Sequence, residues 1–164
     1  MLKETTAVDA PSVAVENIPE ELRRRPQWVC WRYEERGDKR TKVPVIAGGV
    51  GRASTADVTT WRTFEEVLRA LETGRYAGVG FVFSDADPFA GIDLDNCRNP
   101  ETGRIAPWAQ EILNDADGGY AEISPSGTGV HIIVEGTVRG GGMRKGPIEM
   151  YSRGRFFTMT GRAL

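Results

Sequence analysis

The fold is decided by the segment Phe89-Ala90-Gly91-Ile92-Asp93-Leu94-Asp95. Side chains alternate between the two faces of a β-strand, so Ile92 and Leu94 would enter a core while Asp93 and Asp95 share the opposite face. The Cα atoms of the two aspartates would lie roughly 7 Å apart. Two carboxylates that point the same way repel each other unless a divalent cation lies between them, and hard cations such as Mg²⁺ take oxygen ligands. The segment therefore predicts a buried strand that carries part of a metal site.

A second segment, Pro147-Ile148-Glu149-Met150-Tyr151, repeats this alternation with Glu149 on the polar face. If the two strands are near neighbours, Glu149 completes a three-carboxylate site that can hold two metal ions. An Asp-x-Asp pair alone is more often a solvated turn, and sugar-nucleotide transferases also use one, so the motif by itself does not choose the chemistry. The pair Asp85 and Asp87 precedes Pro88 and is predicted to be a turn.

The segment from Ser124 to His131 joins two predicted strands through small hydroxyl residues and two glycines. Such a loop lets backbone N–H groups approach a phosphate closely, and His131 could bind triphosphate oxygens. A plain hairpin with a half-buried histidine is equally compatible with the loop alone. No G-K-[ST] sequence occurs, which disfavours ATP hydrolysis by a Walker loop.

Helices and strands are mixed along the chain. Thr63 and Glu66 form a predicted capping box before an amphipathic helix. The strands at 78–84 and 89–95 are predicted to be hairpin partners. Helices are predicted at 19–25, 64–71 and 107–114, and strands at 27–35, 41–46, 78–84, 89–95, 120–123, 130–135, 147–151 and 156–160. The pattern predicts an α+β domain with a mostly antiparallel sheet.

The 164 residues fit one domain, with a disordered leader predicted over 1–17 and the domain over 18–164. A net charge of −2 argues against a protein that coats DNA, although local basic patches remain suited to phosphates. The two cysteines and one histidine do not form a zinc cluster. Without a signal-like segment or a membrane-length apolar run, we expect a cytoplasmic protein with no membrane partner.

The order of Asp93-x-Asp95, the His131 loop and Glu149 resembles the archaeo-eukaryotic primase superfamily. The closer likeness is to the primase-polymerase (prim-pol) domains at the N-terminus of phage and plasmid replication proteins. The resemblance covers roughly residues 19–162. It extends to further segments that look like the family's sequence: Arg25-Pro26-Gln27-Trp28-Val29, Thr41-Lys42-Val43-Pro44, Gly78-Val79-Gly80-Phe81-Val82-Phe83 and Gly154-Arg155-Phe156-Phe157-Thr158.

The resemblance implies a small N-terminal α/β lobe and an RRM-like, mostly antiparallel sheet, with the site between them. It implies that Asp93, Asp95 and Glu149 bind catalytic Mg²⁺ or Mn²⁺. Nucleotide-binding residues would be Ser126, Gly127, Thr128, His131, Lys42 and Arg155. Some relatives have a lysine where this chain has Thr128, so another cation must neutralise the phosphates. Lys42 is preferred over Lys145, Arg153 and Arg155.

The predicted function is that of a DNA primase or polymerase, which transfers nucleotides from nucleoside triphosphates to a 3′-hydroxyl on a DNA template. Partners would be DNA template and primer, with a helicase, fused or in trans, suggested by analogy alone. We also expect truncation at the C-terminus, because catalytic modules of this family often continue further. Two alternatives stay open: a noncatalytic nucleic-acid-binding module, and another metal-dependent nucleotidyl or glycosyl transferase.

Overall fold

The computed structural model describes residues 12–164. Its helices are α1 (Glu20–Arg23), α2 (Phe64–Glu72) and α3 (Pro107–Asp115), with single 3₁₀ turns at Val15–Asn17, Val58–Thr60 and Arg139–Gly141. The strands are β1 (Trp28–Arg36), β2 (Lys39–Val45), β3 (Gly78–Val82), β4 (Phe89–Leu94), β5 (Tyr120–Ile123), β6 (Val130–Glu135), β7 (Gly142–Lys145), β8 (Ile148–Tyr151) and β9 (Phe156–Met159). Among these residues, no helix combines the length and apolar character needed to cross a bilayer.

The strands form two sheets. Sheet A has the order β2-β1-β3-β9, and sheet B has the order β5-β6-β4-β8-β7. Every paired strand in both sheets is antiparallel. These pairings agree with the predicted α+β class and its antiparallel character. Sheet A joins the N-terminal strands to β9 from the end of the chain, while the division into a small lobe and an RRM-like sheet stays a prediction.

Helix α2 begins where the sequence predicts. The Glu66 N–H donates to the Thr63 hydroxyl at 3.3 Å, and the Thr63 N–H donates to the Glu66 carboxylate at 2.9 Å. This reciprocal capping box satisfies two of the N–H groups that a helix start leaves unpaired. The helix buries Phe64, Val67 and Leu71 against sheet A. It therefore covers the face of sheet A that carries Trp28 and Phe81.

The predicted hairpin between β3 and β4 is wrong. Each strand already has two antiparallel neighbours, β1 and β9 for β3, and β6 and β8 for β4. The segment between them carries the chain from sheet A to sheet B. Its turn is built by the Asp87 carboxylate, which accepts from the Ser84 N–H at 2.9 Å, the Phe89 N–H at 2.7 Å and the Gln27 amide at 2.7 Å. Strand β7, which the sequence analysis did not predict, forms the far edge of sheet B.

The leader predicted over residues 1–17 falls mostly outside the described residues. Its described part, residues 12–17, packs against the end of the chain. The Ala14 N–H donates to the Thr160 carbonyl at 3.0 Å, and the Asn17 side chain donates to the Gly161 carbonyl at 2.9 Å. The disordered leader over 1–17 and the boundary at residue 18 stay predictions.

The two sheets pack closely together at Gly91 on β4. A Cβ atom there would lie 2.4 Å from Phe157 and 2.5 Å from Phe83. Real Cβ atoms do not approach other heavy atoms so closely, so glycine is required by space rather than by its backbone angles. The two phenylalanine rings pack edge to face, with centroids 4.9 Å apart. Aromatic packing thus joins sheet A to sheet B beside the acidic strand.

Candidate active site

One face of sheet B carries a row of polar side chains, with one residue from each strand. In hydrogen-bonding register the row runs Glu122, His131, Asp93, Glu149, Arg144. We call this set the polar row. The adjacent row on the same face contains Tyr120, Ile133, Gly91, Tyr151 and Gly142, and it includes the contact with sheet A at Gly91. Strand alternation alone therefore presents the whole polar row on the face that meets sheet A.

The three predicted metal ligands lie together. One carboxylate oxygen from each of Asp93, Asp95 and Glu149 lies within 4.8 Å of the other two. Asp93 and Glu149 face each other directly across β4 and β8, and Asp95 follows two residues along. The Asp95 N–H donates to the Pro147 carbonyl at 2.9 Å, which holds the two strands together at this point. This acidic triad offers oxygen ligands at a spacing that can hold a divalent cation.

The alternation predicted for β4 is confirmed. Ile92 and Leu94 are buried on the opposite face of sheet B, where they pack with Ala109 of α3. The same holds for β8, where Ile148 and Met150 pack toward that core while Glu149 joins the triad. The backbone thus fixes the direction of the acids without any special loop.

The electrostatics of the triad favour a cation. Burial raises the pKa of Asp93 above its ordinary value, and the carboxylates of Asp95 and Glu149 raise it further. The positive charges available on His131 and Lys42 lower this pKa but do not overcome the other causes. The ionised cluster is therefore incompletely compensated by the side chains around it, and a bound divalent ion would supply the missing charge.

His131 lies next to Asp93 in a fixed orientation. Its Nδ1 atom lies 3.0 Å from the Thr158 carbonyl, which can only accept, so Nδ1 is the donor. Its Nε2 atom lies 3.5 Å from the Asp93 carboxylate. The ring also stacks on Phe157, with centroids 4.9 Å apart. His131 is only 6% exposed, so its imidazole presents one nitrogen to the site from a packed position.

The three loop residues predicted to bind phosphate lie beside the site rather than in it. The Gly127 N–H donates to the Ser124 carbonyl at 2.9 Å, and the Thr128 N–H donates to the Ser126 hydroxyl at 3.3 Å. These backbone groups are therefore used inside the loop. The Thr128 carbonyl accepts from the Cys97 N–H at 2.9 Å, which places the loop against the end of β4 near Asp95. Binding of a triphosphate by Ser126, Gly127 and Thr128 stays a prediction.

Lys42 reaches the site from sheet A. On β2, Val43 and Val45 are buried toward α2, so Lys42 lies on the opposite face of sheet A, where its ammonium nitrogen lies 5.6 Å from the centre of the Trp31 ring. It lines a cleft of about 370 Å³ that also contains Asp93, Glu149 and His131, and we call this the acidic cleft. Burial lowers the pKa of Lys42, while the charges of Asp93 and Asp95 act in the opposite direction.

Of the other predicted cations, Arg155 also lines the acidic cleft, whereas Lys145 and Arg153 do not. Sequence reasoning missed Arg144, whose Nε atom lies 3.3 Å from the Glu149 carboxylate. Arg144 is on β7, opposite Glu149 in register. The strand and its arginine were missed for the same reason, because all four residues of β7 are exposed and show no hydrophobic alternation.

Glu122 is a further residue that the sequence analysis did not single out. It is fully buried at 0% exposure and accepts hydrogen bonds from the Tyr120 hydroxyl, the Thr160 N–H and the Gly161 N–H, at 2.8, 3.0 and 2.8 Å. Its carboxylate lies 3.6 Å from Nδ1 of His131. Burial, with the adjacent Glu122 charge, raises the pKa of Tyr120. In the sequence, Glu122 has the pattern of a solvated strand residue, so only its pairing with His131 reveals it.

Comparison with known proteins gives one informative match. No family model matches the chain. It is 34% identical over 146 residues to a DNA primase-polymerase of Nitratiruptor phage NrS-1. The alignment covers 85% of this chain and 20% of that protein, so the chain spans about a fifth of its relative's length. The match supports a relationship to primase-polymerases, in agreement with the resemblance drawn from the acidic and histidine motifs.

Proposed function

We propose that this chain is the nucleotidyl-transfer module of a DNA primase-polymerase. The observation that carries the proposal is the convergence of Asp93, Asp95 and Glu149 beside His131, with Lys42 facing them from sheet A. The similarity to a phage DNA primase-polymerase supports the same activity. Because the chain spans only a fifth of that relative, the reaction, the DNA template and primer, and the nucleoside triphosphates all belong to the proposal.

In this proposal the acidic triad holds Mg²⁺ or Mn²⁺. Carboxylate oxygens suit both ions, and the raised pKa of Asp93 marks a cluster that gains from added positive charge. When bound, such ions activate the attacking hydroxyl and stabilise charge on the reacting phosphate and the leaving group. Arg144 holds the Glu149 carboxylate from the neighbouring strand and so helps to keep the triad in place.

The remaining residues bind and orient the triphosphate. His131 directs Nε2 toward the acidic cleft, and Lys42 and Arg155 bring positive charge to it. We assign Ser126 and its loop to the same task, at the Asp95 end of β4. The reaction forms a bond between the 3′-oxygen and the α-phosphorus and breaks the bond to pyrophosphate. The protein's part in such chemistry is positioning and electrostatic stabilisation.

The test is nucleotide incorporation by the double variant D93A/D95A. We expect it to lose Mg²⁺- and Mn²⁺-dependent primer extension and dinucleotide synthesis, with ribo- and deoxyribonucleotides both assayed, while it remains folded. The variant D115A/D117A is a matched control, since it removes two exposed aspartates of the same spacing at the end of α3. Extension by D93A/D95A at the wild-type rate would show that the proposal is wrong.

A noncatalytic nucleic-acid-binding module is the second candidate. Binding of DNA that persists in EDTA, with no incorporation of labelled nucleotide under any condition, would select it. Turnover of sugar nucleotides in a substrate panel would instead select a glycosyl transferase. A helicase partner and a cytoplasmic location stay predictions.

A further inference from the structure

A second cleft opens beside the acidic cleft. It has a volume of about 660 Å³ and shares Arg144, Tyr151 and Arg155 with the acidic cleft. Its own lining includes Trp61 and Arg153. We call it the arginine cleft. The shared residues place the arginine cleft next to the cleft that contains Asp93 and Glu149.

The lining of the arginine cleft combines cations with aromatic rings. Arg144, Arg153 and Arg155 supply guanidinium groups, which bind phosphate through paired N–H donors. The Arg155 guanidinium lies 4.8 Å from the centre of the Tyr151 ring. Asp85 is the acidic residue of this lining, and it lies 3.3 Å from Arg153. Proteins commonly bind unpaired nucleotides through a positively charged groove with aromatic side chains on which bases stack.

One wall of this cleft is glycine backbone, on which a side chain can pack directly. Residues 140–142 are three glycines that contribute backbone to the lining. A Cβ atom on Gly141 would lie 2.5 Å from the Arg153 side chain, so the arginine lies directly on the glycine backbone. Thr55 also lines the cleft, and its hydroxyl donates to the Gly154 carbonyl at 3.2 Å. These contacts place Arg153 at a fixed wall although its side chain is 53% exposed.

We propose that the arginine cleft binds single-stranded nucleic acid, along the strand that leads into the acidic triad. This inference rests on the proposed function and locates its polymeric substrate. The arginine cleft is larger than the acidic cleft, at about 660 against 370 Å³, and lies next to it. A strand therefore suits the arginine cleft, while a triphosphate suits the smaller space beside Lys42 and His131.

The first test is the affinity of a fluorescent single-stranded oligonucleotide, measured in EDTA over a series of salt concentrations. R153Q should weaken binding, and the slope of log affinity against log salt should become shallower by about 0.7 for each lost phosphate contact. D85N should tighten binding, because it removes the negative charge beside Arg153. R69Q is the matched control, since Arg69 is exposed on α2 and lines neither cleft.

Unchanged affinity and salt slope for R153Q would overturn the proposal. So would a loss of Mn²⁺-triphosphate affinity with strand binding intact, because the cleft would then hold the incoming nucleotide. Strand binding in EDTA requires no incorporation. A failure of the nucleotidyl-transfer assignment is therefore seen separately, in the assay of D93A/D95A.

A second inference comes from the buried end of the polar row. Glu122 accepts from the N–H groups of Thr160 and Gly161, which follow closely after Thr158 in the chain. The Thr158 carbonyl is the acceptor for Nδ1 of His131. Glu122 therefore holds the backbone segment that orients the imidazole, and its own carboxylate lies 3.6 Å from the same nitrogen.

We infer that Glu122 is a positioning residue for His131. A negative charge beside Nδ1 stabilises the proton on that nitrogen, so the opposite nitrogen faces Asp93 and the acidic cleft. Backbone closure uses both carboxylate oxygens as acceptors, Oε1 for the Thr160 N–H and Oε2 for the Gly161 N–H, so E122Q also removes one acceptor. The tautomer of His131 is therefore the measurement that separates the positioning role from backbone closure.

His131 is the single histidine of the chain, so ¹⁵N-histidine labelling gives one imidazole whose tautomer is read directly by NMR. E122Q should shift that tautomer away from Nδ1–H and lower kcat about tenfold, with E122D restoring part of both. Y120F, which removes a donor to Glu122 but keeps its charge, should leave the tautomer unchanged. A wild-type imidazole spectrum in folded E122Q would overturn the inference, even if the melting temperature fell.

Discussion

Asp85-Ala86-Asp87 and Asp93-Leu94-Asp95 have the same spacing but different structures. Asp87 lies in a turn, where its carboxylate accepts from two backbone N–H groups and the Gln27 amide. Asp85 is exposed and pairs with Arg153. Asp93 lies on a central strand, where its neighbours on either side are His131 and Glu149. The first pair is satisfied by the protein, whereas the second meets other carboxylates.

The spacing of two aspartates does not identify a metal site, whereas the groups that surround their carboxylates do. A carboxylate that accepts several N–H donors already has its charge compensated. A carboxylate whose pKa is raised by burial and by like charges, as for Asp93, has stabilisation to gain from a cation. The two pairs should therefore fail in different ways when they are substituted, one in folding and the other in chemistry.

Among the single substitutions, E149Q should have the largest effect. Loss of the third carboxylate should reduce nucleotide incorporation by about 10²- to 10³-fold, since the triad acts as a unit on charge that develops in the reaction. Melting in EDTA should change little, but the rise in melting temperature on addition of Mn²⁺ should shrink, because binding to the native state stabilises it. Full activity in E149Q would separate Glu149 from the two aspartates.

D87A should affect folding and leave the chemistry alone. It removes three hydrogen bonds and leaves the buried Gln27 amide short of a partner, so the free energy of unfolding should fall by about 2 kcal/mol. Guanidinium titration measures this loss, and incorporation per folded molecule should match the wild type. A loss of incorporation without a loss of stability would mean that the turn has a part in the reaction.

The pH dependence of stability in EDTA should identify Asp93. Its pKa is raised in the folded protein, so the folded state takes up this proton at a higher pH than the unfolded chain does. Stability should therefore increase as the pH falls through the folded-state pKa, and the gain should be complete below the ordinary pKa of about 4. D93N should lack this gain when both proteins are unfolded at a series of pH values. The same pH profile in the two proteins would contradict the assigned burial.

D85N should have the smallest effect on stability. Its ion pair with Arg153 is exposed on both sides, at 69% and 53% of the side chains, so its loss should cost no more than about 0.5 kcal/mol. The measurement is the same guanidinium titration that tests D87A. A cost comparable to that of D87A would show that the exposed aspartate also supports the turn.

Local chemistry made part of this molecule predictable from sequence. The alternation around Asp93 and Glu149 depends only on strand geometry, and the capping box of Thr63 and Glu66 depends only on neighbouring backbone. The order of the motifs then indicated that the acids and His131 belong to one site. Their common face on sheet B bears out the geometric part of that prediction.

What could not be predicted depends on partners distant in the chain. The short segment between β3 and β4 has the length of a hairpin, but both strands find other neighbours. Glu122 has the pattern of a surface residue, yet its partners Thr160 and Gly161 lie at the end of the chain. Arg144 lies on an edge strand with no apolar alternation, because β7 has only β8 as a neighbour.

Gly91 allows the two sheets to pack at the distance that the site requires. A methyl group at this position would clash with Phe157, and the imidazole of His131 stacks on the Phe157 ring. The same clash would separate sheet A, which carries Lys42, from sheet B, which carries the carboxylates. The distance between Lys42 and the carboxylates therefore depends on the absence of a side chain at position 91, although this glycine contacts none of the reactants.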